Sequence, residues 1–282
     1  MQSLVRRLLP IAVLAFLLDA PAAGAQSLQI ILDSATGDRV GIPTGLVVGE
    51  AHQLATAVND AKMLAATLKG MGFEVILGED LSRTQFYQQW HQFLTRVEPD
   101  SFAAFFFAGH GVQVDGTNWL LPTDAPNLAQ AQDGLLKRVS INFTELMEEL
   151  RAAKPRISLL ILDACRNNPY AAGTPAVAGT RGLARIDAAK GSFVMYSADA
   201  GETAWDRLPD DPSDVQNSVY TRRLIPLLTA PGLTLQSVAM RVRADVQQLV
   251  SRFGGNQTPA YYDGIVGSVC LSGTCGEAKA QP

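Results

Sequence analysis

The sequence predicts an α/β fold in which helices cover both faces of a mostly parallel sheet. Short apolar runs such as "GLVVG", "FAAFFFAG" and "ISLLIL" have the length and composition of buried strands. Segments such as "AKMLAATLKGMG" between them have the apolar spacing of amphipathic helices. The two kinds of segment alternate along the chain, which is typical of parallel sheets with crossover helices.

The first half of the chain contains three predicted strands, two helices and a hairpin. The strands cover 45–49, 73–77 and 102–109. One helix follows Asn59 or Asp60, either of which could be its N-cap, and a second opens at Ser82. "VQVDGTNWLL" predicts a β-hairpin around Asp115-Gly116.

The second half continues the alternation around one long irregular segment. A helix is predicted over 142–153, strands over 157–162 and 192–197, and helices over 218–228 and 233–253. "DGIVGSVCL" near the end is expected to add a last strand. Residues 167–191 are rich in Gly, Ala and Pro, and a loop of this length in a compact domain is usually functional or disordered.

The N-terminus has the pattern of an export signal. Arg6 and Arg7 precede an apolar stretch over 8–18, and the small residues at 23–25 form a cleavage pattern. We therefore expect a signal peptide over 1–25, a segment of uncertain structure over 26–43, a catalytic domain over 44–272 and a tail over 273–282. An uncleaved N-terminal anchor is the alternative. The mature chain is expected to be periplasmic or secreted, and no later segment has the length of a membrane span.

The acidic composition argues against nucleic acid as a partner. The formal charge is −4, and the part after the signal is more acidic still, whereas phosphate binding requires a basic face. Of three cysteines, Cys270 and Cys275 are spaced for a small-loop disulfide in an oxidising compartment. Cys165 is then left unpaired, which invites a chemical role.

Two predicted strands end in residues that can carry chemistry. One runs into His110 and another into Cys165, and sites in parallel sheets lie at the carboxyl ends of strands. A thiol with a free pKa of about 8.5 needs a base to become a nucleophile, and His110, which has glycine on both sides, is the natural candidate. The backbone N–H groups of Gly111 and Cys165 are candidates for an oxyanion hole. The alternative is a packing histidine and an inert buried cysteine.

Other chemistries have less support. There is no G-x-S-x-G, Walker-type, G-x-G-x-x-G or H-E-x-x-H motif and no C-x-x-C pair. Three scattered histidines are a poor basis for a zinc site, so no metal and no cofactor are predicted.

"FFFAGHGVQ" followed some fifty residues later by "LLILDACRNNPY" closely resembles the caspase-like cysteine peptidases, and in particular the bacterial metacaspase-like (orthocaspase) branch. "VNDAKMLAATLKGMGFEV" and "GLARIDAAKGSFVMYSADAGETA" also match that branch. The resemblance implies a caspase–haemoglobinase fold with a six-stranded, mostly parallel sheet. It also implies that His110 acts as base and then acid while Cys165 forms the acyl-enzyme.

The same resemblance implies an acidic S1 pocket. The family's acids map to Asp163, to Asp60 in the "NDA" motif and, by a weaker match, to Glu202. Such members resemble peptidases that cut after Arg or Lys, and carboxylates do bind a guanidinium through charge-assisted, often bidentate bonds. The alternatives are a helix N-cap for Asp60 and a mere strand-end charge for Asp163.

The expected function is therefore that of a cysteine endopeptidase acting on peptides or proteins with Arg or Lys at P1. The alternatives are an inactive caspase-fold scaffold and an envelope amidase or transpeptidase with the same dyad. Family members are sometimes nicked in the long loop, which makes self-cleavage after Arg181 or Arg185 a hypothesis. Many also respond to calcium, for which no binding loop is visible here, and the loop before Asp60 is shorter than usual. The oligomeric state is left open.

Overall fold

The structure is a computed structural model, and it describes residues 43–49, 54, 56–126, 133–165, 190–199 and 202–275. Strands and helices alternate through these residues. The strands are β1 (Thr44–Gly49), β2 (Glu74–Glu79), β3 (Phe102–Val114), β4 (Thr117–Leu120), β5 (Ile141–Asn142), β6 (Ile157–Cys165), β7 (Ser192–Tyr196) and β8 (Ala260–Asp263). The helices are α1 (Ala57–Gly70), α2 (Arg83–Leu94), α3 (Asp133–Val139), α4 (Phe143–Ala152), α5 (Thr221–Thr229) and α6 (Leu235–Ser251).

The predicted α/β class is confirmed, with a larger sheet than expected. Six strands pair in the order β2-β1-β3-β6-β7-β8, and the first five of these run parallel to one another while β8 is antiparallel to β7. In the described residues β4 and β5 extend the sheet to eight strands, because β3 continues beyond its parallel partners and pairs antiparallel with β4. The expected count of six therefore covers only the main path.

Apolar side chains on both faces of the sheet form two cores. Along β3, Phe102 and Phe106 point into the core under α1, α5 and α6, whereas Phe105 and Phe107 point into the core under α2 and α4. This alternation follows from the period of two in a strand. It explains why the run "FAAFFFAG" is apolar without interruption: both faces are covered.

Several predicted elements need correction. The helix expected after Asn59 or Asp60 begins at Ala57, so Asp60 lies in its first turn and is not the N-cap, which is Thr56. The strand expected over 157–162 continues to Cys165. The last strand is Ala260–Asp263 and not "DGIVGSVCL", of which Cys270 forms only a bridge to Thr234.

Some expectations are confirmed in detail. Ser82 caps α2 with a reciprocal capping box to Gln85. The β3–β4 hairpin turns at Asp115 and Gly116, both of which have positive φ, as a two-residue turn of this sequence requires. The short elements α3 and β5 were not predicted from the sequence.

The ends of the chain and the long loop lie largely outside the described residues. This applies to the expected signal, to Arg181 and Arg185, and to the last residues of the tail. No helix within the described ranges has the length and apolar character needed to cross a membrane.

Candidate active site

The sheet brings the two predicted catalytic residues to adjacent positions. In the parallel pairing of β3 with β6, His110 is the register partner of Cys165, and this is the last pair that the two strands form. Neighbouring strands lie about 4.8 Å apart, so the two Cα positions are next to each other at the carboxyl edge. The His110 side chain is buried. The two candidate catalytic residues, which are more than fifty residues apart in sequence, thus share one edge of the sheet.

The strand β3 changes its partner at this point. His110 ends the parallel pairing with β6, and Gly111 begins the antiparallel pairing, opposite Leu120 of β4. The His110 carbonyl accepts a hydrogen bond from the Leu121 N–H (3.0 Å). The residue proposed for the oxyanion hole, Gly111, therefore lies directly beside the candidate dyad, in backbone that is fixed by the hairpin.

Beside the candidate dyad lies a small cleft that is lined by three carboxylates. They come from Asp60 on α1, Asp163 on β6 and Asp206 on the loop after β7. Small residues of β3, Ala108 and Gly109, line the same cleft, and Ala108 is the register partner of Asp163. A larger side chain at Ala108 would occupy the space in front of the acids.

The position of Asp60 depends on a close approach of α1 to β1. A Cβ atom added to Gly49, at the end of β1, would lie 2.5 Å from the Ala57 carbonyl oxygen and 2.7 Å from Ala61 Cβ. Glycine therefore permits the first turn of α1 to pack on the strand end. The buried Asp60 Oδ1 then accepts hydrogen bonds from Asn217 Nδ2 (2.8 Å) and from the Ser218 N–H (3.0 Å).

Asp163 is held by two hydroxyl groups. Its Oδ2 accepts from Ser218 Oγ (2.6 Å), just before α5, and from Thr221 Oγ1 (2.8 Å), at the first residue of α5. Because its carboxyl group is buried and specifically bonded, the alternative of a mere strand-end charge does not describe it. Ser218 contacts both acids, since its amide bonds Asp60 and its hydroxyl bonds Asp163.

The third carboxylate, Asp206, was missed by sequence reasoning. It follows Trp205 in an irregular loop, and its Oδ1 accepts a hydrogen bond from Thr56 Oγ1 (2.9 Å) just before α1. The loop contains further acids at Asp210, Asp211 and Asp214, and nothing in its pattern distinguishes the one that reaches the cleft. Only the folded arrangement identifies it.

Glu202, the weaker of the sequence candidates, is not among the residues that line this cleft. Its carboxylate instead binds a neighbouring loop, accepting from the Thr258 N–H (2.5 Å), Thr258 Oγ1 (3.1 Å) and Asn256 Nδ2 (2.8 Å). The buried Gln257 reinforces the contact by accepting from the Trp205 N–H (3.0 Å). Glu202 therefore anchors the loop that carries Asp206.

The crowded carboxylates retain protons that exposed acids would lose. Burial, together with the nearby charge of Asp163, raises the pKa of Asp60 to about 8, against the lowering effect of its bonds from Asn217 and Ser218. Burial also raises the pKa of Asp163, and the hydroxyl bonds from Ser218 and Thr221 oppose that rise. Burial of these groups thus favours a partly protonated cluster, and a bound cation would favour its ionised form.

Two further features of the described residues concern metal-binding groups and disulfides. Within the described ranges no group of three or more His, Cys, Asp or Glu side chains is arranged to hold a metal ion. Cys270 and Cys275 form a disulfide, as their spacing suggested. It closes a short loop that packs near the start of α6, where Thr234 pairs with Cys270.

Comparison with known proteins agrees with this architecture. The family model described as the caspase domain of peptidase C14 matches residues 45–267. The human mucosa-associated lymphoid tissue lymphoma translocation protein 1 is 26% identical over 135 residues, which is 47% of this chain and 16% of the human protein. The mouse homologue is 26% identical over 122 residues, covering 43% of this chain and 14% of its own length. The matched part is thus a small fraction of either relative. The family match includes both strand ends and the acidic cleft, and the chain belongs to the caspase-domain family of cysteine peptidases.

Proposed function

We propose that the protein is a cysteine endopeptidase in which Cys165 and His110 form the catalytic dyad and the acidic cleft binds an Arg or Lys side chain at P1. The observation that carries this proposal is the set of three carboxylates, Asp60, Asp163 and Asp206, around one cleft next to the register pair of His110 and Cys165. Three acids in a buried cleft are costly to maintain unless a cation binds there.

The hydrogen-bonding capacity of the cleft favours arginine over lysine. Asp60 and Asp206 each use one carboxylate oxygen for bonds to the protein, and among the described residues no donor reaches the other oxygen. A guanidinium presents five N–H donors in a planar fork, whereas an ammonium presents three on a single atom. Several carboxylates around one side chain match the fork better.

The chemistry follows from the two strand ends. His110 would accept the proton of the Cys165 thiol, and the thiolate would attack the carbonyl carbon of the scissile bond. The backbone N–H groups of Gly111 and Cys165 are the candidates to stabilise the oxyanion. The protonated His110 would then donate to the leaving amine, and water would release the acyl group from Cys165 in a second half-reaction.

The test uses matched fluorogenic peptides that differ only at P1. The full chain and its Cys165→Ala variant are assayed with Arg, Lys, citrulline and Asp at P1. Citrulline has nearly the shape of arginine without the charge, so it separates charge recognition from size. We expect the wild type to cleave the Arg and Lys peptides and not the citrulline peptide. We expect the Cys165→Ala variant to cleave none of them.

The other outcomes identify the alternatives. Cleavage only after Asp would retain the nucleophile and exclude the acidic pocket as the P1 site. If no peptide is cleaved but cell-wall fragments release an amide product, an envelope amidase is favoured. A Cys165→Ala protein that sustains the cellular role of the wild type would favour a scaffold.

We also propose that the protein is exported through the signal expected at residues 1–25. The pairing of Cys270 with Cys275 supports this, because disulfides persist in oxidising compartments. In protein taken from the natural compartment, one thiol should react with an alkylating reagent before reduction and all three cysteines after it. An N-terminus found at residue 1 would contradict cleavage of the signal and favour the uncleaved anchor, and three reactive thiols before reduction would contradict export.

A further inference from the structure

We propose that Ser218, just before α5, and Thr221, its first residue, are positioning residues whose hydroxyl bonds favour the ionised form of Asp163 against its burial and so set the selectivity of the cleft for cationic side chains. The inference rests on the proposed function, because it concerns how the same cleft is tuned. Neither residue was singled out by the sequence, and neither is expected to touch the reacting atoms.

The hydrogen-bond directions make the role of Ser218 specific. Its Oγ accepts from the Thr221 N–H (2.9 Å), so its one hydroxyl proton is available to the Asp163 oxygen at 2.6 Å. Thr221 Oγ1 donates to the same oxygen at 2.8 Å. Both hydroxyls are buried, so water does not compete for these bonds. Together they give one carboxylate oxygen two donors of fixed direction.

Neutral donors stabilise the carboxylate of Asp163 without neutralising its charge, as a salt bridge would. The acidic groups of other elements that act on Asp163 are Asp60 on α1 and Asp206 on the preceding loop. Burial and the charge of Asp163 also raise the pKa of Tyr220, which lies between Ser218 and Thr221 in the sequence. Among the described residues no Arg, Lys or His forms an ion pair with Asp163. The hydroxyls therefore favour the charge without cancelling it, which leaves that charge for an incoming cation.

Two arginines of α5 and of the loop before it have partners elsewhere. Arg222 pairs with Asp211 (2.9 Å), and Arg207 donates to the carbonyl oxygens of Ser213 and Val215. The start of α5 adds a favourable helix dipole for the two acids that it faces. The helix dipole and the two hydroxyl bonds both favour the ionised carboxylate of Asp163, whereas its burial favours the protonated form.

A purely structural role is the competing explanation, and Thr221 separates the two. Ser218 Oγ also accepts a bond from the Thr221 N–H, so replacing Ser218 would alter the start of α5 as well as the acid. The Thr221 hydroxyl, in contrast, bonds only Asp163 among the described residues. Thr221→Val removes that hydroxyl at nearly constant shape, and Thr221→Ser retains it.

The experiment measures binding of agmatine, a guanidinium probe, by calorimetry from pH 5 to pH 9. All proteins are full-length and carry Cys165→Ala, so that catalysis plays no part. We expect Thr221→Val to weaken binding about tenfold at pH 7 and to raise the pH midpoint of binding by about one unit. Thr221→Ser should keep the wild-type midpoint. Thr229→Val is the control, since Thr229 lies exposed at the other end of α5 and bonds only backbone oxygens of that helix.

The possible outcomes separate failure of the positioning role from failure of the proposed P1 site. If agmatine binds but Thr221→Val retains the wild-type midpoint, the positioning role is wrong and the acidic cleft stands. If agmatine does not bind the Cys165→Ala protein at all, the proposed P1 site fails and the inference fails with it. If Thr221→Val does not fold, Thr221→Ala, which removes the same hydroxyl, is measured in its place, with the same upward shift of the midpoint expected and an unchanged midpoint contradicting the role.

Discussion

Asp60, which we propose to be a binding residue, shows how such a residue can work against the stability of the protein that carries it. It is 1% exposed, and only neutral groups, Asn217 and the Ser218 amide, bond to it. Its charge has no cationic partner among the described residues until a ligand arrives. The free protein therefore keeps a carboxyl group whose ionisation opposes folding, which is typical of a site organised for a cation.

Asp60→Asn should therefore stabilise the free protein at alkaline pH. The folded-state pKa of Asp60 is raised to about 8 from 3.8, so the folded protein binds this proton more tightly than the unfolded chain does. The resulting stability is fully present below about pH 4 and is lost as the pH rises through 8. The variant removes this loss, and we expect its Tm to exceed that of the wild type by at least about 3 °C at pH 9 and to match it at pH 4.

Thermal unfolding at both pH values checks this, with Asp210→Asn, an exposed carboxylate of the 202–218 loop, as the control. A Tm difference that is the same at pH 4 and pH 9 would show that the gain has another origin. A lower Tm at pH 9 would contradict the direction of the pKa shift.

A second prediction at this scale distinguishes Asp206 from Glu202. Asp206→Asn removes a charge that lines the cleft, so kcat/KM for the Arg peptide should fall by about ten- to a hundredfold, mainly through KM. Glu202→Ala removes bonds to the Thr258 loop, so it should lower the Tm while leaving the ratio of Arg to Lys cleavage unchanged. Steady-state kinetics on both peptides measures this, and a reversal of the two effects would restore the original assignment of Glu202.

At the scale of elements, the loop 202–218 determines the geometry of the cleft from both of its ends. Asp206 lies near its beginning and Ser218 at its end, while its middle is closed by Arg207 and by the pair of Asp211 with Arg222. Burial pushes the pKa of Asp211 upward, but the bonds from Arg222 and the Leu208 N–H outweigh this and hold the pKa below its usual value. The pair therefore stabilises the loop at neutral pH.

Arg222→Gln should loosen this loop without touching the cleft. Asp211 would keep its bond from the Leu208 N–H (2.6 Å) but lose the charged partner on α5. We expect KM for the Arg peptide to rise several-fold and amide exchange over 207–215 to quicken. Arg223→Gln, which changes an exposed neighbour on the same helix, is the control. Equal effects of the two substitutions would show that the net charge of α5 matters and the pair does not.

The contact between α1 and β1 gives a matched pair of glycine substitutions. Gly49→Ala would force Cβ against the backbone of α1, so it should destabilise the fold by about 1–3 kcal/mol and displace Asp60. Gly70→Ala, at the other end of α1, meets no atom within 4 Å and should be neutral or slightly stabilising. Denaturant unfolding compares the two, and a Gly49→Ala protein as stable as wild type would show that α1 can shift away from the strand.

At the scale of the whole molecule, the sequence predicts the buried strands, which have a clear apolar pattern, and the candidate residues that follow them. Buried parallel strands are apolar on both faces, so "FAAFFFAG" and "ISLLIL" were recognisable, and the residues that follow them share one edge of the sheet. Asp206, Ser218 and Thr221 could not be predicted, because irregular loops have no period and hydroxyl-to-carboxylate bonds depend on packing at long range. Asp60 was found from the family resemblance, and its cap interpretation failed because α1 starts one turn earlier.

The most direct test of the central claim is covalent labelling of the full chain with a peptidyl-arginine chloromethyl ketone, followed by peptide mass spectrometry. One reagent then reports on both the nucleophile and the cleft. We expect a single adduct, on Cys165, that agmatine slows and that His110→Ala and Asp163→Asn both suppress. Equal labelling by the matching aspartate reagent, or an adduct on any other residue, would contradict the assignment of an acidic P1 site beside a Cys165–His110 dyad.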